Sequence, residues 1–258
     1  MRAPWEQVAT MSRILVSNDD GIHSEGLRAL VNSLGSLGEV VVVAPDREQS
    51  GVSHSLTMHR PLRLRRTDTG FYAVDGTPTD CILLGVNRIF RGIAPDLVIS
   101  GINKGGNLGD DIVYSGTVSA AMEGARLGIP SFAISLASRS DFRFDVAARF
   151  ARRLAERIVE TSPKGPILLN VNVPNIGDDQ IRGVRITRQG KRVYNGAVVE
   201  KTDPRGEKYY WIGGEEPGFE ELVDSDIEAV LGGWISITPL KLDLTDYEAI
   251  DRLKVWPI

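Results

Sequence analysis

The chain has 258 residues, 42% hydrophobic and 25% charged, which is enough apolar material for a full core. Its 30 basic against 34 acidic residues leave a net charge of -4, which argues against a phosphate-backbone binder held by bulk charge, so nucleic acid is not an expected partner. Cys81 is the single cysteine, which excludes an intrachain disulfide and fits a reducing compartment.

Residues 1–12 (MRAPWEQVATMS) lack the apolar run of a signal peptide and read as an extension outside the fold. No segment approaches the ~20 apolar residues of a membrane span, so a cytoplasmic protein without a membrane partner is the expectation. Residues 14–17 (ILVS) and 40–44 (VVVVA) are short β-branched runs, the pattern of strands buried on both faces of a parallel sheet. Between them Ser24 reads as an N-cap, and Leu27, Leu30, Val31 and Leu34 recur at helical spacing before Gly35.

The alternation then repeats. Residues 71–74 read as a strand, and Thr77-Pro78-Thr79-Asp80 opens a helix running through Ile82, Val86 and Ile89. Residues 96–102 (DLVISGI) form a further buried strand, 117–127 a helix stopped by Gly128, 131–136 a strand, 144–160 a long amphipathic helix, and 167–173 (ILLNVNV) a strand. This is an α/β chain with a Rossmann-like three-layer core and a mostly parallel sheet over residues 13–183. Beyond that the β/α units stop. Residues 184–187 and 209–212 look like strands between polar stretches, so 184–258 reads as a β-rich C-terminal arm. It closes with a strand at 234–238 and a last helix capped at Thr245.

In open α/β sheets ligands bind beyond the carboxyl ends of the strands. Asn18, Asp19, Asp20 and Gly21 follow the first strand, and Pro45 to Gly51 the second. Asn103, Lys104, Gly105, Gly106 and Asn107 follow the strand that ends near Ile102. Adjacent carboxylates repel unless a cation or proton neutralises them, so Asp19 and Asp20 suggest a divalent ion. Ser50 and Asn103 supply further oxygens, and an all-oxygen set favours a hard ion such as Mg²⁺ or Mn²⁺. The plainer reading makes Asp19 and Asp20 solvated loop residues, or Asp19 a helix cap.

Ser115, Gly116 and Thr117 lead into a helix and suit either a phosphate cradle or a simple N-cap. Asn107 joins them as a candidate phosphate-binding residue. The glycines around Gly105 match neither the Walker nor the dinucleotide fingerprint. His54 could act as an acid or make a structural contact, while His23 and His59 read as loop residues and Cys81 as a small buried one. The arginines between 149 and 157 read as a solvated face. Residues 188–194 (RQGKRVY) fit an anionic substrate, a subunit partner or a plain hairpin.

Five spaced motifs carry a more specific signal: ILVSNDDG (14–21), APDREQSGVSHSL (44–56), GTPTD (76–80), SGINKG (100–105) and YSGTVSAAMEG (114–124). In this order they closely resemble the SurE family of stationary-phase survival proteins, and the likeness runs from about Arg13 to the C-terminus. The resemblance implies a metal-dependent nucleotidase acting on nucleoside 5'- and 3'-monophosphates, with polyphosphate as a further substrate of some members. It implies one divalent ion per subunit held by Asp19, Asp20, Ser50 and Asn103, with Asp19 and Asp20 catalytic and Ser115, Gly116 and Thr117 bordering the phosphate. It also implies a homodimer or tetramer formed through the C-terminal arm. A signalling receiver module is the rival that also places acids after its first strand, but the middle strand lacks a terminal aspartate. A non-catalytic nucleotide-binding module is the other.

Overall fold

In the computed structural model, residues 12–91, 93–161, 167–193, 198–212 and 218–256 are described. The two leading β-branched runs become β1 (Ser12–Ser17) and β2 (Gly38–Pro45), each buried toward its carboxyl end. Between them lies α1 (Glu25–Leu34), capped by Ser24 Oγ, which accepts from Leu27 N at 3.2 Å. Such a cap contributes about 1 kcal/mol. Leu27, Leu30 and Leu34 are fully buried on its inner face, each worth about 2 kcal/mol of apolar transfer.

The chain continues through β3 (Leu64–Arg66), β4 (Tyr72–Val74) and α2 (Pro78–Leu84). The capping box at Thr77 and Asp80 forms as expected. The α-helical pattern ends earlier than the apolar spacing predicts, at Leu84, and passes into one π-type turn over Gly85–Ile89 closed by Phe90 N to Gly85 O at 2.9 Å. That wider turn still buries Val86 and Phe90, so the packing survives the change of geometry. There follow β5 (Leu97–Lys104), α3 (Gly116–Arg126), β6 (Ser131–Ala137), α4 (Phe144–Thr161) and β7 (Leu168–Pro174).

The C-terminal part holds β8 (Val184–Ile186), β9 (Arg192–Val193), β10 (Val198–Thr202), β11 (Lys208–Ile212), β12 (Gly218–Phe219), α5 (Asp226–Leu231), β13 (Ile235–Pro239) and α6 (Tyr247–Leu253). Two details differ from the sequence reading. The cap of α6 is Asp246, whose carboxylate accepts from Ala249 N at 2.8 Å, while Thr245 N is taken by Asp243; the longer, charged acceptor wins the cap position by one residue. The helix α5 was not anticipated, although Ser225 with Glu228 three residues on is a start signal, and Ser225 Oγ does accept from Glu228 N.

Nine strands form one sheet in the order β3-β4-β2-β1-β5-β6-β7-β13-β8. It is parallel except where β3 meets β4 and β13 meets β7. The helices α1 and α4 cover one face, and α2 and α3 the other. The order reverses at β1, which has β2 on one side and β5 on the other. A crevice at the carboxyl ends of β1 and β5 is the expected ligand position in such a sheet. Among the described residues no helix is long and apolar enough to cross a membrane.

Candidate active site

The turn after β1 is held from within. Asn18 Nδ2 donates to Gly21 O at 3.0 Å and to Ser24 Oγ at 2.8 Å, which ties the acidic pair to the start of α1. Gly21 has φ +92°, and a Cβ there would meet the Arg47 backbone at 3.0 Å, so glycine is required at this crossing of the first and second loops. Ile22 N to Pro45 O and Gln49 N to Asp19 O, at 2.8 and 2.7 Å, fasten the second loop beside the first. These backbone bonds bring Ser50 to the acidic pair.

Asp19 is 4% exposed. Its Oδ1 accepts the Thr117 hydroxyl, which fixes the carboxylate at the N-terminus of α3. Gly116 makes the approach possible, since a Cβ there would lie 2.8 Å from Asp19 Cβ. Asp20 is half-buried, and its Oδ2 accepts Lys104 N at 3.1 Å. At this point β5 slips its register on β6 between Gly101 and Asn103. Asn103 is partly buried at the end of β5, its Nδ2 donating to Gly105 O at 2.8 Å. Bonds from Gln49 N to Asp19 and from Lys104 N to Asp20 therefore set the loops that carry Ser50 and Asn103 beside the acidic pair.

Electrostatics make this pair costly as it stands. Burial pushes the Asp19 carboxyl above its ordinary value, against the Thr117 bonds and with the Glu48 charge adding to the rise. Burial, then the neighbouring Asp19, raises Asp20 to about 6. Among the described residues neither carboxylate forms an ion pair. The Lys104 ammonium lies 5.7 Å from the Phe142 ring centroid and supplies only a weak opposing charge. No group of three His, Cys, Asp or Glu among the described residues is arranged to hold a metal, so an ion here would need the neutral oxygens as well. The residues fit that demand. Two carboxylates crowded without a counter-charge, beside an amide and a hydroxyl, form a hard-cation donor set.

Glu48 is the residue that sequence reasoning missed. Its Oε1 accepts Ser50 Oγ at 2.8 Å, and its charge acts on both aspartates. An acid two residues before Ser50 in the same loop was the available signal.

Ser115 is a true N-cap, its Oγ accepting from Val118 N at 3.0 Å. The cap and cradle readings are compatible, because the helix N-terminus still faces the Asp19 carboxylate. Asn107 is buried, with Nδ2 on Ser135 Oγ at 2.7 Å and its backbone bonded to Asn170 and Asn172. Its amide nitrogen is thus engaged in fixing the loop after β5. His23 and His59 are exposed, and Cys81 is buried, which pushes its thiol up and suits a packing role. Arg149 and Arg152 pair with Asp145, Asp178 and Glu156 at the surface. Arg192 of the 188–194 segment pairs with Asp111 at 3.1 Å; Tyr194 lies outside the described residues.

Comparison with known proteins agrees with this architecture. The family model described as "Survival protein SurE" matches residues 14–196. The chain is 54% identical over 248 residues to a protein named 5'-nucleotidase SurE from Anaeromyxobacter sp. (strain Fw109-5), covering 95% of this chain and 96% of that one. It is 51% identical to the protein of the same name from Geobacter sulfurreducens, with coverage of 95% and 94%. The crystal structure of the SurE protein from Aquifex aeolicus superposes with a TM-score of 0.85 at 49% identity, covering 94% of this chain and 98% of that one. A sheet that reverses at β1, an acidic pair at the reversal and a match over nearly the whole length establish that the chain belongs to the SurE family.

Proposed function

We propose that the chain is a metal-dependent phosphomonoesterase, a 5'-nucleotidase that hydrolyses nucleoside 5'- and 3'-monophosphates to nucleoside and phosphate. The observation that carries the reading is the uncompensated Asp19–Asp20 pair held against the N-terminus of α3. Asp19, Asp20, Ser50 and Asn103 would hold one divalent ion per subunit, Mg²⁺ or Mn²⁺. When bound, such an ion supplies Lewis-acid polarisation of a phosphoryl oxygen and a water of lowered pKa.

The remaining steps belong to the chain. Asp19, fixed by Thr117, orients the donor set and is poorly free to attack phosphorus itself. The N-terminus of α3 at Ser115, Gly116 and Thr117 offers its partial positive charge to the phosphoryl oxygens as charge develops. Asn107, whose amide nitrogen is engaged with Ser135, would serve the phosphate site by fixing the loop after β5 and not by direct contact. Beside that loop Gly105 and Gly106 border a cleft of about 450 Å³ walled by Leu108, Ile227, Val230 and Phe219, with Arg139 and Arg192 at its edge. Its size and mixed lining suit a nucleoside. Polyphosphate is a further candidate substrate by the same cradle.

Residues 184–258 are the candidate oligomerisation region of a cytoplasmic homodimer or tetramer. The test is phosphate release from 5'-AMP, 5'-GMP and 3'-AMP after chelation and after return of Mg²⁺ or Mn²⁺. Release that vanishes with chelator and returns with either ion is expected. Equal release without metal overturns the metal reading, and nucleotide binding without turnover favours a non-catalytic binding module.

A further inference from the structure

Residues 46–59, which carry Ser50, form neither helix nor strand. With no ladder to hold it, such a segment keeps one shape only through its tethers. Gln49 is bound to Asp19 at one end. At the other, Ser53 N and Oγ donate to Tyr114 O and Val113 O at 3.1 and 2.7 Å, and Thr57 N donates to Asp80 Oδ1 at 3.0 Å. Between them Ser53 is held at φ +55°, a conformation that a side-chain-bearing residue adopts only when its surroundings impose it.

Thr77 Oγ1 donates to Ser55 O at 2.8 Å, and a further tether involves a buried charge. Glu123 on α3 is 1% exposed; Arg126 donates to its two oxygens at 2.9 and 2.6 Å, and His54 Nε2 donates to Oε2 at 3.1 Å. Burial would raise this carboxyl, but the His54 and Arg126 bonds outweigh it and hold it at about 2. Glu123 lies seven residues after Gly116, hence about 10 Å along the same helix face. One rigid helix therefore sets Gly116 against Asp19 at its start and Glu123 against His54 two turns on.

We propose that His54 is a positioning residue: its bond to buried Glu123 latches the loop bearing Glu48 and Ser50 onto α3, so that Ser50 stands in fixed register with the Asp19–Asp20 pair. The proposal rests on the metal reading given above.

The test compares wild type, His54→Ala, His54→Gln and the double variant His54→Ala/Glu123→Gln, the last removing the buried charge so that lost folding is not mistaken for lost latching. Two readouts apply: amide hydrogen exchange of residues 49–57 in metal-free protein, and Mn²⁺ affinity by calorimetry. Faster exchange in that segment alone and a Mn²⁺ affinity weaker by about 10-fold are expected for both Ala-containing variants, as for the loss of a group that orients a ligand. His54→Gln, which keeps a donor, should recover most of both. Unchanged loop exchange in the two Ala-containing variants overturns the latch, as does wild-type Mn²⁺ affinity in them. If His54→Gln loses turnover while exchange and Mn²⁺ affinity stay at wild-type values, His54 acts through its proton and the proposal fails. Absence of Mn²⁺ binding in wild type overturns the metal reading instead, leaving the exchange result to judge the latch alone.

Discussion

The loops at the carboxyl edge of β1, β2 and β5 and the hairpin of β10 and β11 are built on opposite principles. At the loop edge the polar contacts that shape the site close within the chain: Asn18 reaches the start of α1, Gln49 reaches Asp19, and Thr117 reaches Asp19. Among the described residues the hairpin pairs only with itself, outside the nine-stranded sheet, and leaves Val198, Tyr210, Trp211 and Ile212 in water, the last 91% exposed. A two-stranded hairpin is marginal alone, and this one exposes apolar side chains on both faces, Val198 and Ile212 on one and Trp211 on the other, as a contact element does. Among the described residues the polar contacts at the loop edge are thus met within the chain, whereas the apolar side chains of the hairpin stay uncovered.

That contrast can be broken at either end. The largest effect is expected from Asp19→Asn, which should reduce phosphate release from 5'-AMP well beyond the ~10–100-fold that loss of a supporting group costs; turnover near wild type would show that the edge is not the active site. Next, Trp211→Asp combined with Ile212→Asp should convert an assembly larger than the 28.2 kDa chain into monomer, read by light scattering. An unchanged mass would show that the hairpin is not the interface.

Thr117→Val should weaken Mn²⁺ binding by roughly 10-fold through the freed Asp19 carboxylate, without touching assembly. A change in assembly would mean that edge and hairpin are coupled. The smallest effect concerns acid stability. Glu123 is held at about 2 against an ordinary value of 4.5. A depressed carboxyl contributes stability that is full above pH 4.5 and lost as pH falls toward 2. Glu123→Gln should therefore flatten the fall in melting temperature across that window, and an unaltered slope would show that the ion cluster contributes nothing to acid stability.

Much of this was legible beforehand because it is local. The β-branched runs, the caps at Ser24 and Thr77 and the stop at Gly128 are each set by a few neighbouring residues, and they formed. Asp246 displaced Thr245 as the last cap because the charged acceptor beside it reaches Ala249 N, a one-residue choice that spacing alone does not resolve. The short α5 escaped notice because its apolar face covers only six residues. It is fixed instead by Asp226, which accepts Gly109 N and Gly190 N from loops 117 and 36 residues away.

The candidate site divides in the same way. The acidic pair, Ser50, Asn103 and the Ser115 turn stood out because the strand pattern says where loops must end. Glu48 did not, because its place two residues before Ser50 is a faint signal and its influence on the aspartates is a charge felt through space. Ser115 proved to be the N-cap of α3, and Asn107 a residue whose amide nitrogen is spent on Ser135; both facts depend on neighbours the sequence does not name.

By itself, then, the sequence determined an α/β chain with acids and small residues after its strands, since strand and helix periodicity report burial one residue at a time. Tertiary structure alone decided that Thr117 would take Asp19 across 98 positions and His54 would take Glu123 across 69. Hydrogen bonds and desolvation act over a few ångströms of space, and only the folded sheet makes those positions neighbours.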